Sequence, residues 1–177
     1  FMNIVNGYKL GDGLEEDVTH GPVVSTQAVA DIDGMVQDAV NSGAEVLAGG
    51  GPSELGPCFY PPTVLTGVTT DMRVFREEIF GPVAPLFKFS SEAEAIEMAN
   101  DTEFGLAAYI YTRDVGRVWR VSEAIDYGLV GVNEVAITSE IIPFGGMKES
   151  GQGREGSRYG VDDYLEIKYV CMGGLAD

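Results

Sequence analysis

The feature that most constrains the fold is an alternation of helical and strand-like apolar patterns along the chain. Apolar residues recur with a helical period from Val29 to Val40, between Ser25 as an N-cap and Gly43 just past the helix end. Further helices are predicted after the capping box of Ser91 and Glu94, and after Asp114. On the helix after Asp114, the following residues are expected on or near one face: Val115, Val118, Trp119, Ser122 and Ile125.

Short apolar and β-branched runs predict the strands. They cover residues 44–48, 63–68, 83–89, 106–111 and 129–132, and Pro85 puts the third of them near a sheet edge or makes it irregular. Strands separated by helices of this length favour an α/β fold with a parallel-rich sheet and flanking helices.

Charge and composition exclude several classes of function. The chain has 177 residues, of which 45% are apolar and 22% charged, so a globular core is expected rather than disorder. Eleven Lys and Arg oppose 28 Asp and Glu, giving a net charge of −17. Such an acidic surface repels nucleic acid and anionic membranes, and no apolar run approaches the ~20 residues of a membrane span. We therefore expect neither nucleic-acid nor membrane partners.

Cysteine and histidine are scarce. Cys58 and Cys171 lie in apolar surroundings, where a free cysteine is usually a small buried side chain, and no disulfide framework is expected. His20 is the single histidine, so neither the usual metal sites nor a Ser-His-Asp triad has enough ligands. The sequence therefore predicts no metal and a reducing compartment, the cytoplasm or the mitochondrial matrix.

A glycine-rich segment occupies residues 143–156. Gly151, Gly153 and Gly156 match the letters of the dinucleotide fingerprint, but a loop precedes them where that motif requires a strand, so we reject this interpretation. Beyond the segment, Tyr164–Met172 is predicted as a terminal strand. We accordingly divide the chain into residues 1–149, a glycine-rich return segment at 150–163, and a strand and tail at 164–177.

Two adjacent carboxylates precede a Gly-Pro turn and a strand. A carboxylate at Glu77 or Glu78 can accept two hydrogen bonds from a diol such as ribose, and the nearby Phe80 can pack against a flat ring. The same spacing also suits a solvated acidic turn with Phe80 in the core. Spacing alone leaves both interpretations open.

Several segments together resemble the aldehyde dehydrogenase superfamily in order and spacing: 77–83 (EEIFGPV), 100–114 (NDTEFGLAAYIYTRD), 131–133 (GVN) and 143–155 (PFGGMKESGQGRE). Residues 11–21 and 156–175 are most similar to the succinate-semialdehyde dehydrogenases. The resemblance implies the C-terminal part of a catalytic domain plus a terminal oligomerisation strand. It implies an NAD- or NADP-dependent oxidation of succinate semialdehyde to succinate. The family's nucleophilic Cys and its general-base Glu match nothing here and lie upstream, so the isolated chain is expected to be inactive.

The resemblance also assigns roles toward the cofactor and the proton. Glu78 matches the glutamate that holds the nicotinamide ribose, and Phe80 matches the aromatic beside the nicotinamide. Glu155 matches a second catalytic glutamate in a proton or water relay. An ion pair of Glu155 with Arg154 or Arg158 is the structural alternative, and Arg154 matches a structural position near the subunit interface.

The substrate side carries three further matches. Phe144 matches an aromatic wall of the substrate tunnel. Six residues earlier, Thr138 replaces the family's usual Ser, with Ser139 adjacent, and either hydroxyl can donate a hydrogen bond to the substrate carboxylate. Both hydroxyls also suit a purely local role in the loop.

The resemblance implies partners as well. The apolar terminal strand joins the sheet of another subunit in the family, so a homodimer or homotetramer is expected, together with the rest of the parent enzyme and a small-molecule aldehyde. Two alternatives stay open: another aldehyde dehydrogenase with a different substrate, and a non-catalytic assembly module of the same fold.

Overall fold

The computed structural model describes residues 1–174, and residues 175–177, the end of the predicted tail, lie outside the described part. The chain divides into two compact units, Phe1–Phe89 and Ser90–Asp177. The division into 1–149, 150–163 and 164–177 stays a prediction. Among the described residues, no helix combines the length and the apolar character needed to cross a membrane.

The first unit contains three helices and a three-stranded sheet. Its elements are α1 (Met2–Val5), α2 (Thr26–Asn41), β1 (Glu45–Ala48), β2 (Thr63–Thr66), α3 (Arg73–Arg76) and β3 (Val83–Pro85). The sheet order is β1-β2-β3, with β1 antiparallel and β3 parallel to β2. The expected edge position of the Pro85 strand is confirmed, since β3 has a neighbour on one side only.

Helix α2 forms as its sequence predicts. The Ser25 hydroxyl accepts a hydrogen bond from the Ala28 amide at 3.1 Å, and Gly43 takes a φ of 104° just past the helix end. The apolar face of α2 is buried in a continuous core with β2 and the segments around it. That core comprises Val29, Ile32, Met35, Val36, Ala39, Ala44, Tyr60, Leu65, Val68, Met72 and Val74.

The described residues of the second unit form two helices and two small sheets. Its elements are α4 (Glu92–Asn100), β4 (Phe104–Gly105), β5 (Ala107–Ile110), α5 (Val115–Ala124), β6 (Leu129–Val132), β7 (Met147–Lys148) and a 3-10 turn (Asp162–Tyr164). Strands β5 and β6 are parallel, and β4 and β7 are antiparallel. The predicted caps are confirmed, because Ser91 accepts from the Glu94 amide and Asp114 from the Arg117 amide.

The α/β content is confirmed, but the single parallel-rich sheet is wrong for the described residues. Their strands form three small sheets, in which two pairings are parallel and two antiparallel. The β1–β2 connection, residues 49–62, contains no helix to carry the chain back for parallel pairing, so β2 returns antiparallel.

The five residues predicted on or near one face of α5 differ in burial. Val118 and Ser122 are half-buried and Ile125, just past the helix, is buried, whereas Val115 and Trp119 are 70% and 65% exposed. At 100° per residue, Val115 and Trp119 are rotated to one side of the stripe that points inward.

The predicted terminal strand does not form within the described chain. Tyr164 ends the 3-10 turn, and residues 165–172 pair with no strand of the described part. Their side chains are exposed, with Ile167 at 99%. A strand requires a neighbour for its backbone N–H and C=O groups, and residues 1–174 do not provide one here.

Candidate functional site

An isolated antiparallel β-bridge in the second unit brings two predicted site residues, Phe144 and Glu155, side by side. The Phe144 amide donates to the Glu155 carbonyl at 2.9 Å, and the Glu155 amide donates to the Phe144 carbonyl at 2.6 Å. Residues that exchange both bonds in an antiparallel pair present their side chains as neighbours. The backbone pairing therefore places Phe144, the predicted tunnel wall, next to Glu155, the predicted relay carboxylate.

This bridge forms one side of an open concavity of about 390 Å³. Its lining consists of Thr138, Ser139, Glu140, Phe144, Glu155 and Gly156. The structure thus brings together all four residues that the sequence predicts for the substrate and proton side. Glu140 is the lining residue with a charged side chain that the sequence reasoning missed. Its position directly after Ser139 was the available signal.

A glycine allows the two sides of the concavity to approach. Gly156 has a φ of +66°, and a Cβ there would lie 2.9 Å from the Ile142 carbonyl and 3.2 Å from the Glu140 carbonyl. The next amide, of Ser157, donates to the Glu140 carbonyl at 2.9 Å. Any larger residue at position 156 would push the two segments apart.

The arginines near Glu155 serve other partners. Arg154 donates from Nη1 to the carbonyls of Gly146 and Gly153, at 2.8 and 2.6 Å, and so holds the glycine-rich loop. Arg158 donates to the Tyr159 hydroxyl at 2.6 Å. Within residues 1–174, Glu155 has no ion pair, which contradicts the alternative that its role is to pair with either arginine.

In the first unit, the two adjacent carboxylates have different surroundings. Glu77 is bound by the Arg73 guanidinium, with Nε to Oε1 at 2.7 Å and Nη2 to Oε2 at 2.8 Å. These hydrogen bonds hold the pKa of Glu77 below its usual value. Glu78 is exposed and has no hydrogen-bond or ion-pair partner among the described residues. Of the two, Glu78 is therefore the carboxylate with acceptor capacity left for a ligand.

Phe80 lies at the surface of the same unit. Ile79 packs against the core, while its neighbours Glu78 and Phe80 are exposed, Phe80 by 77%. The alternative that places Phe80 in the core is therefore wrong. Gly81 holds this segment close to α2, because a Cβ at Gly81 would collide with the Ile32 side chain.

This arrangement fits the ribose and nicotinamide part of a dinucleotide. An unpartnered carboxylate at Glu78 can accept from a diol, and an exposed ring two residues later can pack on a flat heterocycle. No group of three or more His, Cys, Asp or Glu that could hold a metal is present in the part of the chain that the structure describes. The two cysteines, Cys58 and Cys171, are unpaired and neither lines the concavity.

Comparison with known proteins identifies the family. The aldehyde dehydrogenase family model matches residues 1–170. The chain belongs to the aldehyde dehydrogenase family. This confirms the resemblance to the family that the motifs predict, over nearly the whole chain.

Relatives within the aldehyde dehydrogenase family cover this chain almost completely. It is similar to a 3-sulfolactaldehyde dehydrogenase from Pseudomonas putida, with 58% identity over 96% of this chain and 35% of that protein. It is similar to the mitochondrial succinate-semialdehyde dehydrogenase of Oryza sativa, with 55% identity over 99% of this chain and 33% of that protein. The crystal structure of succinate-semialdehyde dehydrogenase from Burkholderia pseudomallei superposes with a TM-score of 0.91, at 54% identity over 96% of this chain and 35% of that one. The chain thus spans about a third of the length of the relatives it matches.

Proposed function

We propose that this chain is the C-terminal part of an NAD(P)-dependent dehydrogenase that oxidises succinate semialdehyde to succinate. The observation that carries the proposal is the concavity at which Phe144, Glu155, Thr138 and Ser139 meet. Its support is 55% identity to a plant succinate-semialdehyde dehydrogenase of which the chain spans a third. On this proposal the catalytic Cys and the general-base Glu belong to the part of the enzyme that precedes these residues, and the 177 residues alone oxidise no aldehyde.

The nucleotide side depends on the first unit. Bound NAD(P)⁺ supplies the hydride acceptor of the reaction. Glu78 would accept hydrogen bonds from the nicotinamide ribose, and Phe80 would pack beside the ring, so that the cofactor is held in one orientation. The role of Glu78 is positional: it orients a reacting group and takes no part in bond breaking.

The substrate and proton side depends on the second unit. The Phe144 ring would form one wall of the tunnel through which the aldehyde enters. The Glu155 carboxylate beside it would pass protons to and from the hydrolytic water. The hydroxyls of Thr138 and Ser139 have no hydrogen-bond partner among residues 1–174, so both can donate to the substrate carboxylate.

The proposal is tested by comparing Glu78→Gln with Glu77→Gln in the full-length enzyme. Glu78→Gln removes the charge of the unpartnered carboxylate, so we expect kcat/KM for NAD(P)⁺ to fall by about tenfold to a hundredfold, the loss typical of hydrogen bonds to a charged group. Glu77→Gln removes a surface ion pair with Arg73 and is expected to change kcat/KM by less than about threefold. Initial rates of NAD(P)H formation provide the measurement.

Equal losses in the two variants would contradict the ribose role of Glu78. A wild-type enzyme that leaves succinate semialdehyde unoxidised, while it oxidises another aldehyde, would contradict the substrate.

A second candidate substrate class follows from the relative with 58% identity. That protein is named as a 3-sulfolactaldehyde dehydrogenase. The same concavity with another acidic aldehyde is therefore the alternative, and the ratio of kcat/KM on succinate semialdehyde and on 3-sulfolactaldehyde decides between them.

The exposed apolar segment supports an assembly. Leu165, Ile167 and Tyr169 are 63%, 99% and 85% exposed, which suits pairing with a second subunit in a homodimer or homotetramer. The relatives include one bacterial and one mitochondrial enzyme, which supports the cytoplasm or the mitochondrial matrix as the location.

A further inference from the structure

We infer that Glu140 is a specificity-determining residue, whose carboxylate lowers the enzyme's preference for anionic aldehydes over neutral ones. The inference rests on the proposed function, because it concerns the tail of the aldehyde that enters the concavity. It names a residue for which the motif resemblance implies no role.

The first support is the charge of the lining. Of the six residues around the concavity, Glu140 and Glu155 are acidic, Thr138 and Ser139 are hydroxylic, and none is basic. A tail that ends in a carboxylate meets the field of these two negative charges, whereas an alkyl tail of equal length does not. The charges of this lining therefore disfavour an anionic tail relative to a neutral one.

The second support is that nothing nearby compensates the charge of Glu140. Its carboxylate has no hydrogen-bond or ion-pair partner among residues 1–174. Two other glutamates differ: Arg117 and Arg120 bind Glu92 at 2.8 and 2.9 Å, and Arg73 binds Glu77. A carboxylate that is already paired has a weak external field, whereas an unpaired one acts on any charge that approaches it.

The third support is that the backbone beneath Glu140 is held in place. Its carbonyl accepts the Ser157 amide at 2.9 Å, and the Ile142 amide donates to the Ser139 carbonyl at 3.3 Å. Gly156 packs directly under this turn. The backbone from which the Glu140 side chain extends is therefore fixed at the rim of the concavity.

Glu140 also follows the two hydroxyls that are proposed to bind the substrate carboxylate. Thr138 and Ser139 attract that group by hydrogen bonding, while Glu140 repels it. Selectivity is the difference between these interactions, so the removal of one charge shifts it without removing the binding groups.

The experiment measures kcat/KM for succinate semialdehyde and for butanal, a neutral aldehyde with four carbons, in the full-length enzyme. The variants are Glu140→Gln, Glu140→Asp and Glu149→Gln. Glu149 is an exposed carboxylate of the glycine-rich loop that does not line the concavity. In Glu140→Gln we expect the ratio of anionic to neutral kcat/KM to rise about threefold to tenfold, and this gain to shrink as salt is added.

The two controls separate charge from structure. Glu140→Asp keeps the charge and is expected to keep the ratio near that of the wild type, and Glu149→Gln is expected to change it by less than about twofold. An unchanged ratio in Glu140→Gln, or an equal rise in Glu149→Gln, would overturn the inference and leave the proposed function standing. A wild-type enzyme that oxidises neither aldehyde would overturn both.

Discussion

The interiors of the two units are stabilised in different ways. In the first, the helix α2 and the strand β2 bury a continuous set of large apolar side chains, with Val36, Ala39 and Leu65 fully inaccessible. In the second, the buried residues among those described are two apolar ones, Ile125 and Leu129, and the glycines 105, 131 and 146.

Backbone contact replaces side-chain packing in the second unit. A Cβ on Gly105 would collide with the Asp126 carbonyl, and one on Gly128 with the Gly145 carbonyl. The Arg154 guanidinium and the bridge between Phe144 and Glu155 add hydrogen bonds to the same loops. Segments in close backbone contact therefore position the concavity. We therefore expect the first unit to respond to lost side-chain volume and the second to added volume.

The largest effect is expected from Leu65→Ala in the first unit. Leu65 is fully buried, so the substitution removes its burial and leaves a cavity, which costs about 2–5 kcal/mol of unfolding free energy. The matched control is Leu47→Ala, since Leu47 is 48% exposed and its loss is expected to cost less than about 1 kcal/mol. Urea unfolding of the full-length enzyme, with peptide-resolved hydrogen exchange, measures both. Equal losses in Leu65→Ala and Leu47→Ala would contradict the view that buried side-chain volume stabilises the first unit.

A smaller loss of unfolding free energy is expected from Gly128→Ala, which adds side-chain volume where Leu65→Ala removes it. The added methyl group meets the Gly145 backbone, which cannot rotate away as a side chain does, so we expect a loss of about 1–3 kcal/mol. Gly173→Ala is the control, because no atom lies within 4 Å of the added Cβ there. Amide exchange should become faster in the second unit for Gly128→Ala alone. A variant as stable as the wild type would show that the close approach can relax.

The smallest effect concerns pH and the ion pairs between α4 and α5. Hydrogen bonds from Arg120 and Arg117 lower the pKa of Glu92 to about 2. Because the folded pKa is depressed, the stabilisation is present above the ordinary carboxyl pKa of 4.5 and is lost as the pH falls toward about 2. Glu92→Gln should therefore flatten the loss of stability over this interval.

Glu97→Gln is the control for this titration. Glu97 is an exposed carboxylate of the same helix and has no ion-pair partner among the described residues. Unfolding midpoints between pH 4.5 and 2 provide the measurement. If the slope in Glu92→Gln is as steep as in the wild type and in Glu97→Gln, the ion pairs of Glu92 do not stabilise the contact between α4 and α5.

Local signals in the sequence predicted the helix ends and most strands. Ser25, Ser91 and Asp114 cap their helices as predicted, because a cap depends on a side chain and an amide three residues apart. The strand β6 matches its predicted bounds, residues 129–132. The predictions that failed depend on distant neighbours: the single sheet and the terminal strand, which does not form among the described residues.

The residue types of the site and their order could be read from the linear sequence. Glu78, Phe144 and Glu155 could be singled out by motif because the spacing of a motif survives in the linear chain. The folded chain shows that Arg73 binds Glu77, that Glu78 has no partner among residues 1–174, and that Glu140 shares a concavity with Glu155. The reason is physical: charge compensation and shared cavities depend on distances between side chains, and folding sets those distances between residues whose separation in sequence does not reveal them.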